Sequence, residues 1–471
     1  MGVGRGDPRG LGRTDAAPVV SRRAFLTTAM AGATGVALAA CGGGSSSPTT
    51  TAGTTSAKSA RGVGIPPNPK APLGSDQLPE VDHIVVVMME NHSFDNILGA
   101  LGRGDVLART SAGVPDATNP DGQGHLIRSF QMPTPCQLDG KPSQDWNASH
   151  TQYANGTNQG FVVSSSGPVA MGYFTPADLP FTNSLASTYP IGDRYFCSVL
   201  AQTYPNRRYL MAATSLGQVG DTYTTALPPH GTIFDSLDRH GISWKNYYSN
   251  LPSSWSFIGL ASLPSNKAGL AHISDFYSDC ASGNLPAFSL VDPDFNMSSE
   301  ENPQDVQYGD VFLSKVVDAV TAGPKWAKTL LIWNYDEHGG YYDHVPPPAA
   351  VIPDDVAPML STGQVPGAFD RLGFRVPAGV VSPYSRANHV SHTVYDHTSV
   401  LRTVEIKWNL PALTRRDAAA NDLLDMVDFH SPPAFLHPPR LHAPADPALK
   451  ASCTVSGAGT IPPPSAVVAA S

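Results

Sequence analysis

Two apolar runs of strand length constrain this chain most, because each delivers a cluster of ligand-type side chains at its C-terminal end. The first is His83-Ile84-Val85-Val86-Val87-Met88-Met89, followed by Glu90-Asn91-His92-Ser93-Phe94-Asp95. The second, Leu330-Leu331-Ile332-Trp333-Asn334-Tyr335, is followed by Asp336-Glu337-His338-Gly339-Gly340-Tyr341-Tyr342-Asp343-His344-Val345. Near-continuous apolar runs suit strands buried on both faces. Open α/β sheets bind ligands beyond the carboxyl ends of their strands, where both runs place their charge. Adjacent carboxylates such as Asp336 and Glu337 repel unless a cation or a strong donor lies between them. Set side by side, the two strands would bring Glu90, Asn91, Asp336 and Glu337 to one point. Such an oxygen-rich donor set suits a hard divalent cation. One such turn alone usually means a charged loop after a buried strand; two of the same design predict a metal-dependent hydrolase.

The rest of the chain supplies a frame for that site. Ile233–His240 reads as a helix stopped by Gly241, and Ile242–Tyr248 as a strand. Ala287–Val291 is a short strand ending in Asp292-Pro293-Asp294, and Val311–Thr321 an amphipathic helix. Arg375–Ser382 is a further apolar strand, and Tyr395–Trp408 a helix. This alternation predicts an α/β fold, a mostly parallel central sheet with helices on both faces. Gln202-Thr203-Tyr204-Pro205-Asn206-Arg207-Arg208 falls at a loop-to-helix junction, where free N–H groups favour phosphate. Thr203 there is either an N-cap or a hydroxyl nucleophile activated by metal. In the second case Asn206 and Arg207 would help hold a phosphate. Residues 145–150, ending in His150, read as a loop within a turn-rich stretch.

The N-terminus has another purpose. Ser21-Arg22-Arg23-Ala24-Phe25-Leu26 is a twin-arginine pattern, followed by a modestly apolar run to Ala40. That run is too short and too weakly hydrophobic to span a membrane stably, so residues 1–40 are expected to be an export signal. Leu38-Ala39-Ala40-Cys41 resembles a lipobox, with Cys41 as the lipid-modified residue. Residues 41–80 are expected to be a disordered tether, 81–440 the catalytic domain and 441–471 a Pro/Ala-rich tail. Without residues 1–40, which hold five Lys/Arg and two Asp/Glu, 25 basic and 37 acidic residues remain, a net charge of −12. An acidic exported protein is a poor nucleic-acid binder, since such binding relies on Lys/Arg neutralising phosphates. Cys136, Cys197, Cys280 and Cys453 match no zinc spacing; one or two disulfides fit an oxidising compartment, with connectivity open.

With these motifs in order, the chain resembles the bacterial phospholipase C and acid phosphatase superfamily of phosphoesterases. The resemblance rests on Glu90–Asp95, Thr203–Arg207, Asp336–Val345 and Tyr395-Asp396-His397-Thr398-Ser399. It implies an alkaline-phosphatase-like three-layer sandwich, with Glu90, Asn91, Asp336 and Glu337 as ligands of a divalent metal cation. It further implies Thr203 as nucleophile, His150 in the phosphate pocket, and Asp343 and His344 near the metal or the substrate. His397 is expected to be structural. Where relatives carry Glu-His-Pro-Pro, this chain has Glu300-Glu301-Asn302-Pro303, and Asn302 can hydrogen-bond a phosphate but cannot be a general acid. His92 stands where Arg is commoner, and the C-terminal β-type modules of the large phospholipases are not expected here. The implied substrate is a phospholipid or a small phosphoester, reached at a membrane surface through the N-terminal lipid anchor. Phospholipase C action on phosphodiesters is the first expectation and acid phosphatase action on monoesters the second. A surface lipoprotein without catalysis is the third, disfavoured because buried ionisable ligands without metal are costly.

Overall fold

Every side chain of His83–Met89 (β1) and Thr329–Tyr335 (β6) is buried, as strands covered on both faces must be. They lie at the centre of an eight-stranded sheet that also contains Ile191–Gly192 (β2), Trp244–Tyr248 (β3), Leu270–His272 (β4), Phe288–Val291 (β5), Ala378–Val381 (β7) and Val390–Ser391 (β8). The strand order is β8-β2-β7-β6-β1-β5-β3-β4. From β6 to β4 all neighbours are parallel, whereas β7 runs antiparallel to both β6 and β2. The structure is a computed structural model; it describes residues 62–138, 142–257, 268–447, 454–455 and 462–470. The signal segment with Cys41, the first part of the tether and Cys453 lie outside the described residues.

The helices are Phe94–Leu98 (α1), Trp146–Tyr153 (α2), Pro180–Thr188 (α3), Thr203–Ala212 (α4), Ile233–Arg239 (α5), Ile273–Ser282 (α6), Val306–Ala322 (α7), His397–Lys407 (α8) and Arg415–Ala419 (α9). Six of them form two packing groups. α3 and α6 pack on α7, which lies against β1 and β6; α4 and α9 pack on α8. With β1 and β6 buried throughout, the sheet is covered on both faces, as the alternation of elements predicts. α7 starts earlier than its amphipathic pattern, because Asp305 caps it by accepting the Gln307 N–H at 2.9 Å. Among the described residues no helix is long and apolar enough to cross a membrane.

Two expectations need correction. Residues 145–150 are not a loop: Asp145 accepts the Ala148 N–H at 2.8 Å and starts α2. The expected tether is ordered from residue 62 onward. Buried Asn409 holds it, its side-chain amide donating to the carbonyls of Asn68, Ala71 and Pro72 at 2.9–3.1 Å. Asn409 Oδ1 accepts the Asn68 N–H at 2.8 Å, and Lys407 reaches Asp76 at 2.5 Å. The tail also contributes, since Val467–Ala469 pairs antiparallel with His125–Ile127. Composition alone reads such Ser/Pro/Ala-rich segments as unstructured, because their hydrogen-bond partners are distant in sequence. Cys136 is disulfide-bonded, whereas Cys197 and Cys280 carry free, buried thiols.

Replacing Asn409 by Ala leaves several backbone groups of residues 68–72 without partners. This should lower stability by about 1–3 kcal/mol and open residues 62–80 to trypsin at Lys70. Denaturant titration and limited proteolysis check both outcomes.

Candidate active site

Parallel register aligns the two ligand turns. Met89 pairs with Tyr335, and the Asp336 N–H donates to the Met89 carbonyl at 3.1 Å, so Glu90 and Asp336 leave the sheet edge side by side. Asn91 then adopts φ 62°, a left-handed conformation that Asn tolerates better than most residues. Its N–H donates to Asp336 Oδ1 at 3.1 Å. Gly339 is required by close approach: a Cβ there would fall 1.8 Å from the Asn91 carbonyl oxygen. The expected convergence of Glu90, Asn91, Asp336 and Glu337 is present.

One amide atom of Asn91 marks the centre of the group. It lies 2.5 Å from Glu337 Oε1 and 3.3 Å from both Asp336 Oδ1 and Thr203 Oγ1. Turned one way, the amide nitrogen donates to all three; turned the other, its oxygen joins a cluster of acceptors that a cation would satisfy. Glu90 Oε2 is buried and has no hydrogen-bond partner among the described residues. Burial raises the Glu90 carboxyl well above its ordinary range, opposed by the Arg207 charge. Burial and the neighbouring Asp336 charge do the same to Glu337. Several carboxylates with one guanidinium among them, an orphaned oxygen and an amide oxygen fit a hard divalent cation. Glu90, Asn91, Asp336 and Glu337 are the residues that would hold it.

Thr203 opens α4, and its side chain faces a pocket lined by Glu90, Tyr204, Arg207, Asp221, Trp255 and Glu301, among others. It is not the N-cap: Gln202 holds that place. The helix terminus offers phosphate less than the motif implies, because Pro205 has no N–H and that of Tyr204 goes to Asp221 at 2.7 Å. The mouth is apolar, with Tyr223 51%, Trp255 41% and Leu251 36% exposed.

Five residues have surroundings different from those expected. Arg207 lines the pocket, but its donors are committed to the protein: Nε to Asp336 at 2.9 Å, Nη1 to Ser253 at 2.8 Å and Asp292 at 3.3 Å, Nη2 to the Met89 carbonyl at 3.2 Å. It therefore holds the ligand carboxylates instead of a phosphate. Asn206 is spent on the loop before α4, accepting the Ser198 and Val199 N–H groups and donating to the Ala201 carbonyl at 2.9 Å. His150 bonds the Trp146 carbonyl at 2.7 Å and packs on the Trp146 ring. Residues two apart in a helix point about 200° away from each other, and Gln152 accepts from His338 Nε2, next to Glu337 in sequence, at 2.7 Å. Asn302 accepts the Tyr341 hydroxyl at 2.9 Å, and Glu301 faces the pocket in its place. His344 faces Asp95 and Asp105, away from the pocket wall.

Sequence reasoning did not single out Asp292, Asp221, Gln152 or Arg375. Asp292 had a signal: β5 neighbours β1, with Val291 opposite Val87, so a third strand also ends in an acid beside the site. His397 is structural as expected. Its Nε2–H donates to the Asp336 carbonyl at 2.7 Å, and burial lowers its pKa to about 4, keeping the ring neutral.

Buried acids and a hydroxyl at the carboxyl edge of an α/β sheet are groups that hydrolysis of a phosphoester bond uses, and the family of the chain makes it a hydrolase acting on such bonds. The chain belongs to the Phosphoesterase family, whose profile matches residues 81–411. It is 32% identical to Non-specific phospholipase C1 of Arabidopsis thaliana over 372 residues, 72% of this chain and 69% of that protein. To Phospholipase C B of Mycobacterium tuberculosis it is 31% identical over 430 residues, 78% of this chain and 82% of that one. Among solved structures it is similar to an alkaline phosphatase superfamily protein from Vibrio parahaemolyticus, at 12% identity and a TM-score of 0.36 over 69% of this chain and 76% of that one.

His344 permits a pH test. Burial alone would lower its pKa, but the hydrogen bond and charge of Asp95 outweigh that and raise it to about 9. A raised histidine stabilises the fold fully below its unfolded pKa of about 6.5 and loses that contribution as pH climbs through the folded value. The melting-temperature gap between wild type and His344→Gln should be widest below pH 6.5 and close by about pH 9–10, as scanning calorimetry across pH would record.

Proposed function

We propose that this chain is a metal-dependent phospholipase C that hydrolyses phosphodiester lipids through a phosphothreonine on Thr203. The observation that carries the reading is the Thr203 hydroxyl, 3.3 Å from the Asn91 amide inside the ligand cluster and facing an open pocket. A divalent cation bound there would lower the pKa of that hydroxyl and neutralise charge on the phosphoryl oxygens. Thr203 Oγ bonds to phosphorus as the hydroxyl proton leaves, and the ester bond to the diacylglycerol oxygen breaks as that oxygen gains a proton. Water then cleaves the phosphothreonine and releases the head-group phosphate. Arg207 and Asp292 hold Asp336 and Glu90 in place, and His397 fixes the Asp336 backbone.

The exposed Tyr223, Trp255 and Leu251 around the mouth favour an amphiphilic diester over a small monoester, since such side chains suit a lipid–water boundary. The phospholipase C names of the relatives support the same choice. Acid phosphatase action on monoesters remains the second reading. Export by the twin-arginine route and anchoring through Cys41 belong to the proposal on sequence grounds. Membrane fractionation of wild type against Cys41→Ala tests them, and equal distribution would refute the anchor.

Purified protein should hydrolyse phosphatidylcholine faster than p-nitrophenyl phosphate and lose both activities with chelator; the opposite preference would select the phosphatase. Thr203→Ala should reduce turnover by at least ~10³-fold with the fold intact. Near-normal activity in that variant would refute the nucleophile. Asp336→Asn should lose bound metal by elemental analysis.

A further inference from the structure

Asp95, Asp343 and His344 gather two carboxylates and an imidazole in the manner of a metal site. A cation already fills it. The fully buried Arg375 donates through Nε to Asp343 Oδ1 at 2.8 Å, and through Nη2 to Asp343 Oδ2 and Asp95 Oδ1, both at 3.1 Å. Its guanidinium lies 4.4 Å from the centre of the Phe94 ring. His344 Nδ1 is 2.6 Å from Asp95 Oδ2, its Nε2 is 3.1 Å from Asp105 Oδ1, and its N–H donates to Asp95 at 2.7 Å. Arg194 pairs with Asp105 at 2.5 Å. With the imidazole protonated, the acids Asp95, Asp105 and Asp343 face an equal number of cations, His344, Arg194 and Arg375. The group is balanced without a metal ion.

Its position gives it a purpose. Asp95 belongs to α1, which begins just beyond the Glu90-Asn91 turn, while Asp343 and His344 lie on the loop that begins with Asp336-Glu337. The same two segments are tied again where Ser93 Oγ donates to the Tyr342 carbonyl at 2.6 Å, and they touch where Gly339 meets the Asn91 backbone. Each turn supplies half of the ligand set. The β1–β6 pairing and Arg207 align the halves from below; beyond the sheet edge their separation is set by whatever joins α1 to the 338–345 loop, and none of the joining side chains lines the pocket.

We propose that Asp95, Asp343, His344 and Arg375 form a positioning clamp that holds the Glu90-Asn91 turn against the Asp336-Glu337 turn and thereby sets the cation affinity of the site. The clamp rests on the metal-site reading above; its residues touch neither cation nor substrate. Loss of outer partners of metal ligands weakens metal binding by roughly 10–100-fold, and the clamp predicts a loss of that order from a side chain outside the ligand shell.

The test uses the full chain with Mn²⁺ as probe, free ion being followed by electron paramagnetic resonance. His344→Gln removes one cation at a partly exposed position, and Asp95→Asn is the second variant. His344→Arg keeps the positive charge. In the first two, Mn²⁺ affinity should fall roughly 10–100-fold. His344→Arg should recover most of it, and activity of His344→Gln should return as Mn²⁺ is raised, with KM for lipid unchanged. A folded His344→Gln with wild-type Mn²⁺ affinity would overturn the clamp, as would loss of activity that added Mn²⁺ does not restore. Wild type that binds no Mn²⁺ would count against this metal reading, and hydrogen exchange then decides the clamp on its own. Faster exchange in His344→Gln that reaches residues 90–92 and 336–339 supports it, while acceleration confined to 343–345 refutes it.

Discussion

The carboxyl edge of this sheet depends on one buried guanidinium. Arg207 reaches Asp336, Asp292 and, at 3.7 Å, Glu90, the residues that follow the central strands β6, β5 and β1. Carboxylates stripped of water are costly unless paired, and breaking a buried pair by removing one partner typically costs about 3–5 kcal/mol. Arg207 thus lets neighbouring strands all end in acids. It offsets only part of their charge, and the remainder, on Glu337 and on the Glu90 oxygen that has no hydrogen-bond partner among the described residues, is what the proposed cation would neutralise. Burial works against its own charge, and Asp336, Glu90 and Asp292 outweigh that and hold it.

A second arginine does the corresponding work one layer out. Arg375 is buried between Asp95 and Asp343, on the segments that continue from the two ligand turns. The molecule thus uses two guanidinium-centred clusters at the same sheet edge. One holds the acids at the strand ends; the other holds the loops that follow them. Both use the planar fork of Arg, which can bridge two carboxylates at once where a lysine ammonium is only a point charge.

Much of this was legible in the chain. The strand runs, their parallel pairing and the convergence of Glu90, Asn91, Asp336 and Glu337 follow from continuous apolar stretches that end in ligand-type residues. The roles of Arg207, Asn206, His150 and His344 were not legible. A phosphate-binding arginine and an internal salt-bridging arginine look the same in sequence, since only the neighbours distinguish them. His150 and Gln152 sit on the same short helix, and only its rotation about its axis decides which of them meets His338 beside Glu337. The ordered arm of residues 62–80 was hidden likewise, because its stabilising partner, Asn409, is more than three hundred residues away.

By itself the sequence determined which strands are central and which residue types stand at their ends, because burial on both faces demands apolar runs and polar residues can begin only where the sheet stops. From this the α/β class and the expectation of phosphoester chemistry follow. The tertiary structure alone decided which polar groups are spent on one another and which remain for a ligand. Side-chain pairing inside the protein is set by distances of a few ångströms between segments far apart in the chain, and no local pattern encodes those. Thr203 kept its place at the pocket, Arg207 was drawn into the acids beneath it, and His344 into a clamp beside it.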